Sequence, residues 1–170
     1  MTSRYVVESL TDRHDLTLLD CGDAELDGWL RDHARAASAQ GTRTYVLVAR
    51  EQTEVVGYFA LAPYLIERGV LPRKIGRGAP RQVPAILLAK LAINRQLQGA
   101  GLGTDLLLRA LSTALAAART VGGKLLVVDA INDNAAAFYA AHDFQPVPES
   151  PRRLVIKLST VAKELGAPWP

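Results

Sequence analysis

The stretch that most constrains this chain is VPAILLAKLAINRQLQGAGLGTDLLLRAL, Val83 to Leu111. Its apolar run AILLAKLAI predicts a strand buried on both faces of a sheet. Gly99, Gly101 and Gly103 then fall within five positions, directly ahead of a helix-periodic run. Glycine costs backbone entropy and removes packing, so such a cluster marks a backbone that turns tightly or lets something approach closely. A helix start presents unbonded N–H groups and the positive end of its dipole, which suits an anion, here a phosphate.

Three phosphate-loop patterns compete for the segment. The P-loop GxxxxGK[ST] fails for want of a lysine. The dinucleotide fingerprint GxGxxG, counted from Gly99, puts Thr104 where its third glycine belongs. The pattern Q/R-x-x-G-x-G/A is met by Gln98, Gly101 and Gly103.

The remaining elements build a frame around that unit. YVVESL predicts a first strand. AELDGWLRDHARAASAQ predicts an amphipathic helix with Asp23 as N-cap, Gly41 as its end and His33 on the apolar stripe, a core or interface residue. TYVLVAR and VVGYFALAPYLIE predict a hairpin, with an edge or bend at Pro63. RGVLPRKIGRGAPRQVP predicts a long loop of functional character. A helix to Thr120 closed by Gly122 and Gly123, the strand KLLVVDA, the helix NDNAAAFYAAHD and the strand RRLVIKLS follow. The fold class is mixed α/β, one domain over residues 1–170, with a parallel central strand pair.

Composition narrows the setting. A net charge of +3 tolerates a polyanionic partner without requiring one. Cys21 is the only cysteine, so an intrachain disulfide and a cysteine metal cluster are excluded; His14, His33 and His142 show no metal spacing, so no metal is expected. MTSRYVVESL lacks a signal-peptide core and no run reaches membrane-spanning length, which predicts a cytoplasmic protein with no membrane partner.

The Val83–Leu111 stretch resembles motif A of the GNAT acetyltransferase superfamily, and NDNAAAFYAAHDF resembles its N-x-x-A-x-x-x-Y-x-x-x-G-F signature through Asn132, Ala135, Tyr139 and Phe144. Asp143 stands where that signature has glycine; aspartate tolerates a left-handed turn, so the turn is expected to survive. The resemblance extends along the chain to the TacT-like branch, the GNAT toxins of toxin–antitoxin modules. DCGDAELDGWLRDHARAASAQGTRTYVLV, GYFALAPYLIER and AFYAAHDFQPVPESPRRLVIKL carry it. Ala100 replaces a common arginine, and Ile93-Asn94 a more usual valine–aspartate.

The resemblance implies a GNAT fold with a splayed strand pair that binds acetyl-CoA. Backbone groups of Leu91, Ala92 and Ile93 would meet the pantetheine arm, and amides of Gln98, Gly99, Ala100, Gly101, Leu102, Gly103 and Thr104 the pyrophosphate. It implies Tyr139 as general acid toward the departing thiolate, worth about 10²–10⁴-fold in rate; Tyr139 packing on a helix face is the alternative. Asn132 would orient CoA or cap its helix. The branch acetylates the amino group of aminoacyl-tRNA, blocks translation, pairs with a ribbon–helix–helix antitoxin and is expected to be a homodimer.

No strong general base stands out. An α-amine of pKa ~8 is partly neutral at pH 7 where a lysine of ~10.4 is not, which favours α-amines. Arg68, Arg73, Lys74, Arg77 and Arg81 crowd one segment against Glu67, Arg31 and Arg35 lie on the first helix, and Arg152 and Arg153 precede the last strand. Of these, Arg31, Arg35, Arg73, Lys74 and Arg77 are the candidate tRNA contacts, to phosphate rather than base; a solvated face is the alternative. Two rival functions stay open: acetylation of a small amine or protein N-terminus, and a non-catalytic CoA- or partner-binding module.

Overall fold

A computed structural model of the chain describes residues 4–170; Met1, Thr2 and Ser3, which open the stretch read for a leader, lie outside the described residues. The elements are β1 (Tyr5–Ser9), α1 (Ala24–Asp32), α2 (Ala34–Ala37), β2 (Arg43–Ala49), β3 (Val55–Glu67), α3 (Arg73–Gly76), β4 (Gln82–Ile93), α4 (Leu102–Val121), β5 (Leu125–Asp129), α5 (Asp133–Ala140), β6 (Gln145–Val147), β7 (Ser150–Lys157) and α6 (Leu158–Leu165). The strands form one mixed sheet in the order β1-β2-β3-β4-β5-β7-β6. β1–β2, β2–β3, β5–β7 and β6–β7 pair antiparallel. β4 and β5 are the expected parallel pair, in register from Ala85↔Leu125 to Leu88↔Val128.

The chain divides into two compact units: the first takes residues up to Ala62 with Ala89–Ala110, the second Pro63–Leu88 with Leu111–Pro170. In the first, Leu26, Leu30 and Ala34 pack against Val46, Val48 and Tyr58. α1 starts where Asp23 predicts, its Oδ1 accepting the Leu26 N–H at 3.0 Å. The single helix expected over Ala24–Gln40 instead breaks at His33 (φ −127°, ψ −22°). It resumes as α2 and a 3₁₀ turn, Ser38–Gln40, before Gly41 closes it at φ +97°. Tertiary bonds fix the resumed piece: the Arg35 guanidinium donates to the carbonyls of His14 (2.7 Å) and Thr11 (3.2 Å). Ala34 is thereby buried and His33 is exposed, which corrects the reading of His33 as a core residue. β2 pairs with β3 as far as Arg43↔Leu61, so Pro63 lies past the last β2 partner, at the edge its missing N–H calls for.

In the second unit, Ile66, Leu71, Ile75 and Ala79 pack with Leu125 and Val155. The segment predicted as a long loop is instead a 3₁₀ turn (Arg68–Val70), α3 and the first residues of β4. Leu71, Ile75 and Ala79, four residues apart, are all buried and hold it to the core. β4 is not buried on both faces: Ala85, Leu88, Ala92 and Ile93 are buried, while Ile86, Leu87, Ala89, Lys90 and Leu91 are half-exposed. Two elements carried no sequence expectation, β6 and α6.

Candidate functional site

The glycine segment is built from β4 onward. The Ile93 carbonyl and the Cys21 carbonyl both accept from Gln98 Nε2, at 2.9 Å each. The Gln98 side chain therefore bolts the loop to the first unit and does not project toward a ligand. Its backbone N–H is also engaged, with the Arg95 carbonyl at 3.3 Å. Neither donor of Gln98 is left for a pyrophosphate, which corrects its assignment. Asn94 Oδ1 accepts the Gln96 N–H at 3.2 Å, capping a 3₁₀ turn over Arg95–Leu97; an aspartate would do the same, so that departure changes little.

Beyond Gln98 the chain turns at Gly99 (φ +84°) and Gly101 (φ +81°), conformations an L side chain rarely adopts. Ala100 is exposed between them. The first bond of α4 runs from the Asp105 N–H to the Gly101 carbonyl at 3.1 Å. Helix geometry gives the amides of Leu102 and Gly103, ahead of that bond, no acceptor inside the helix. Gly103 is the informative glycine. It has no positive φ, and a Cβ built there meets nothing within 4 Å. Neither backbone nor packing requires glycine at 103, whereas a ligand drawn against the helix start does. The cradle therefore fits an anionic group. The last β5 partner of β4 is Leu88. Of the next residues, Leu91 is half-exposed, Ala92 and Ile93 are buried, and the Ile93 carbonyl is already bonded.

The second unit holds the other motif, and its geometry explains the spacing. Asn132, extended at φ −160°, accepts the Ala135 N–H on Oδ1 at 2.8 Å and caps α5. At the far end the Phe144 N–H reaches the Tyr139 carbonyl (3.2 Å) and the Asp143 N–H the Ala140 carbonyl (3.2 Å). Asp143 sits at φ +72°. This is a Schellman closure, and its usual apolar contact is the edge-on pair of Tyr139 and Phe144, centroids 5.5 Å apart. The asparagine, tyrosine, left-handed residue and phenylalanine are thus one device, a short helix stapled at both ends around Tyr139. Asn132 serves as the cap, one of its two expected roles.

Tyr139 is buried, edge-on to Phe138 as well (5.4 Å). Burial pushes its phenol well above the usual tyrosine range. It stays protonated through the physiological range. A full proton transfer from it to a thiolate of pKa ~8.5 is strongly uphill, so its competence is that of a hydrogen-bond donor. His142 packs on Phe138 (4.8 Å) with Nδ1 2.9 Å from the Phe138 carbonyl. His14 is buried: Nδ1 accepts the Thr11 N–H at 3.0 Å, so Nε2 carries the proton toward Glu8 at 2.9 Å. Cys21 is half-buried, its thiol pushed up to about 12 by burial and by Asp27, and is no nucleophile at neutral pH.

The cations sort into two kinds. Arg31 pairs with Asp32 at 3.1 Å, and Arg35 is tied to backbone carbonyls. Arg68 donates to the Ala79 carbonyl, Arg152 pairs with Asp133 at 3.0 Å, and Arg153 grips Asp129 bidentately while donating to Tyr64 Oη. Arg73, Lys74 and Arg77 are exposed and meet no carboxylate among the described residues. They stand on and beside α3, where Arg68, Arg73 and Arg77 line an open groove. The buried Leu71–Ile75–Ala79 series, every fourth residue of the expected loop, is the sequence signal that could have placed them on a fixed surface.

Residues 42–146 match the acetyltransferase (GNAT) domain family. The chain belongs to the GNAT acetyltransferases. Among relatives of this GNAT chain, the "tRNA-acetylating toxin" of Mycobacterium tuberculosis (strain ATCC 25618 / H37Rv) is 34% identical over 157 residues, covering 92% of this chain and 94% of the relative. Two solved structures of AtaT superpose closely. One, in complex with acetyl-methionyl-tRNAfMet, has a TM-score of 0.86 and 31% identity, over 95% of this chain and 99% of that one. The other is a tyrosine-to-phenylalanine mutant toxin bound to the C-terminus of the antitoxin AtaR and to acetyl-CoA. Its TM-score is 0.81 and its identity 30%, over 96% of this chain and 99% of that one.

Proposed function

We propose that the chain is an acetyl-CoA-dependent N-acetyltransferase toxin, a single GNAT domain over residues 1–170, acting on the α-amino group of aminoacyl-tRNA and so inhibiting translation. The observation that carries this reading is the likeness to a tRNA-acetylating toxin along nearly the whole of both chains. A solved relative at a TM-score of 0.86 holds an acetylated aminoacyl-tRNA, which supports the same substrate class.

Acetyl-CoA supplies an acetyl thioester, an activated carbonyl open to attack by a neutral amine. The chain's own contribution begins with the amides of Leu102 and Gly103 at the start of α4, which with Gly99, Ala100, Gly101 and Thr104 make the pyrophosphate cradle. Leu91, Ala92 and Ile93 would hold the pantetheine arm through their backbone, except for the Ile93 carbonyl, which Gln98 already occupies. Tyr139 donates a hydrogen bond to the departing sulfur, and its raised pKa keeps that proton present at every working pH. Asn132 holds the helix on which Tyr139 rides. Arg73, Lys74 and Arg77 meet RNA phosphates, being exposed and matched to no carboxylate among the described residues; Arg31 and Arg35 contribute less, since their charges are already engaged. A ribbon–helix–helix antitoxin, a homodimeric state and a cytoplasmic setting complete the proposal. No helix of the described residues is long and apolar enough to cross a membrane.

The test is acetyl transfer from radiolabelled acetyl-CoA to a pool of charged and uncharged tRNA, with Tyr139→Phe in parallel. Label on charged tRNA alone, reduced about 10²–10⁴-fold in the variant, is the expected result. Turnover on a small amine or peptide with no label on RNA would keep the enzyme and overturn the toxin reading.

A further inference from the structure

A second hollow in the same unit belongs to none of the roles above. It has a volume of about 300 Å³, and its lining combines the apolar Ile75, Ala79 and Val83 with Trp169 and the cations Arg77, Lys124 and Lys157. That volume is at the small end of ligand pockets, enough for one nucleotide and too little for a duplex. Three features make it unusual. Lys157 is half-buried and Lys124 exposed, and neither meets a carboxylate among the described residues. The β5–β7 register (Leu125↔Lys157) brings Lys157 opposite the residue that follows Lys124, so both lysines reach the same hollow. The segment carrying Trp169 is held in place, because the Pro168 carbonyl accepts from Arg119 Nη1 at 3.2 Å.

A fixed aromatic face beside unneutralised cations is the combination that binds unpaired nucleotides: the base stacks, and the phosphates meet the charges. Arg77 lines both this hollow and the groove beside Arg68 and Arg73, so the cations form one track ending at the indole. We infer that the hollow formed by Trp169, Lys124, Lys157 and Arg77 seats one unpaired nucleotide of the RNA substrate. The inference deepens the aminoacyl-tRNA reading and rests on it. It adds an anchor that recognises a flipped-out or single-stranded base, apart from the acetyl-transfer chemistry. An acidic protein segment would satisfy the lysines but would leave the indole face without a stacking partner.

The chain has two tryptophans, Trp29 and Trp169, so the Trp29→Phe protein reports on Trp169 alone. Titrating it with uncharged tRNA should quench the indole saturably, and Lys124→Glu with Lys157→Glu should abolish the quenching. Uncharged tRNA accepts no acetyl group, so this readout is separate from turnover. Normal acetylation of charged tRNA without quenching would overturn the nucleotide seat and leave the substrate reading standing. Quenching without acetylation would support the seat and overturn the substrate reading. Quenching by a glutamate-rich peptide and not by RNA would also overturn the seat. If Trp29→Phe does not fold, Trp169→Ala in the parent should weaken tRNA binding roughly tenfold with acetyl-CoA affinity intact. An unchanged tRNA affinity there would equally refute the proposal.

Discussion

The chemistry proposed for Tyr139 turns on its burial. From sequence it is a phenol of ordinary acidity beside a leaving thiolate. Its burial keeps the proton on oxygen, so in the proposed role it would act as a hydrogen-bond donor throughout the working range. The expected pH profile of kcat/KM therefore rises as the acceptor amine loses its proton and then stays level to about pH 10. A descending limb before that point, present in the parent and missing in Tyr139→Phe, would show an ionising phenol instead. Asp143 makes a second single-residue case. It holds φ +72° in place of the signature's glycine and also hydrogen-bonds Glu164, whose carboxyl it raises above the usual range. A raised carboxyl pKa means stability present at low pH and lost as pH climbs through the raised value. Asp143→Gly removes both burdens and should raise Tm by a few degrees at pH 7, with a smaller gain near pH 4. Thermal melts at the two pH values check this, and a lowered Tm at pH 7 would contradict it.

At the scale of elements, α5 carries the clearest lesson. Its motif is legible because every member has a local mechanical role, with Asn132 at the N-cap, Asp143 at the left-handed position and Phe144 against Tyr139. Asn132→Ala should cost about 1 kcal/mol of stability and lower kcat through a displaced Tyr139, with the Kd for CoA unchanged. A CoA Kd raised tenfold would restore Asn132 as a ligand. The elements that escape the sequence lack such local marks. β6 is three residues with a proline at its centre. α6 follows β7 without glycine, proline or a side-chain cap, so only the change of period announces it. The break at His33 falls among helix-compatible residues and is imposed by Arg35 bonding to carbonyls more than twenty positions away. Gln98 reads as a phosphate ligand for the same reason: its partner Cys21 is remote in sequence. What is legible is local; what is not depends on distant partners.

For the whole molecule, the charge balance of +3 is small, so its electrostatics are decided by which cations are spent. Of the five nominated for RNA, two are already committed within the fold and three are not. Reversing Arg73, Lys74 and Arg77 together should reduce acetylation of charged tRNA by tenfold or more with Tm preserved. Arg35→Ala should instead lower Tm and leave the tRNA affinity of the folded fraction intact. The three phosphate contacts of Arg73, Lys74 and Arg77 should by themselves raise the KM for tRNA about 20- to 40-fold between roughly 50 and 200 mM salt. A salt-independent KM would remove these cations from the substrate path.

Gly103 sets durability against purpose. An alanine at that position has open space for its methyl group and a backbone with no positive φ to receive it, and alanine favours a helix over glycine by up to about 1 kcal/mol. Gly103→Ala should therefore give a protein that melts higher and binds CoA poorly, measurable by scanning calorimetry and CoA titration on one sample. One added carbon atom would then separate endurance from activity, giving a sturdier molecule that no longer holds its acetyl donor.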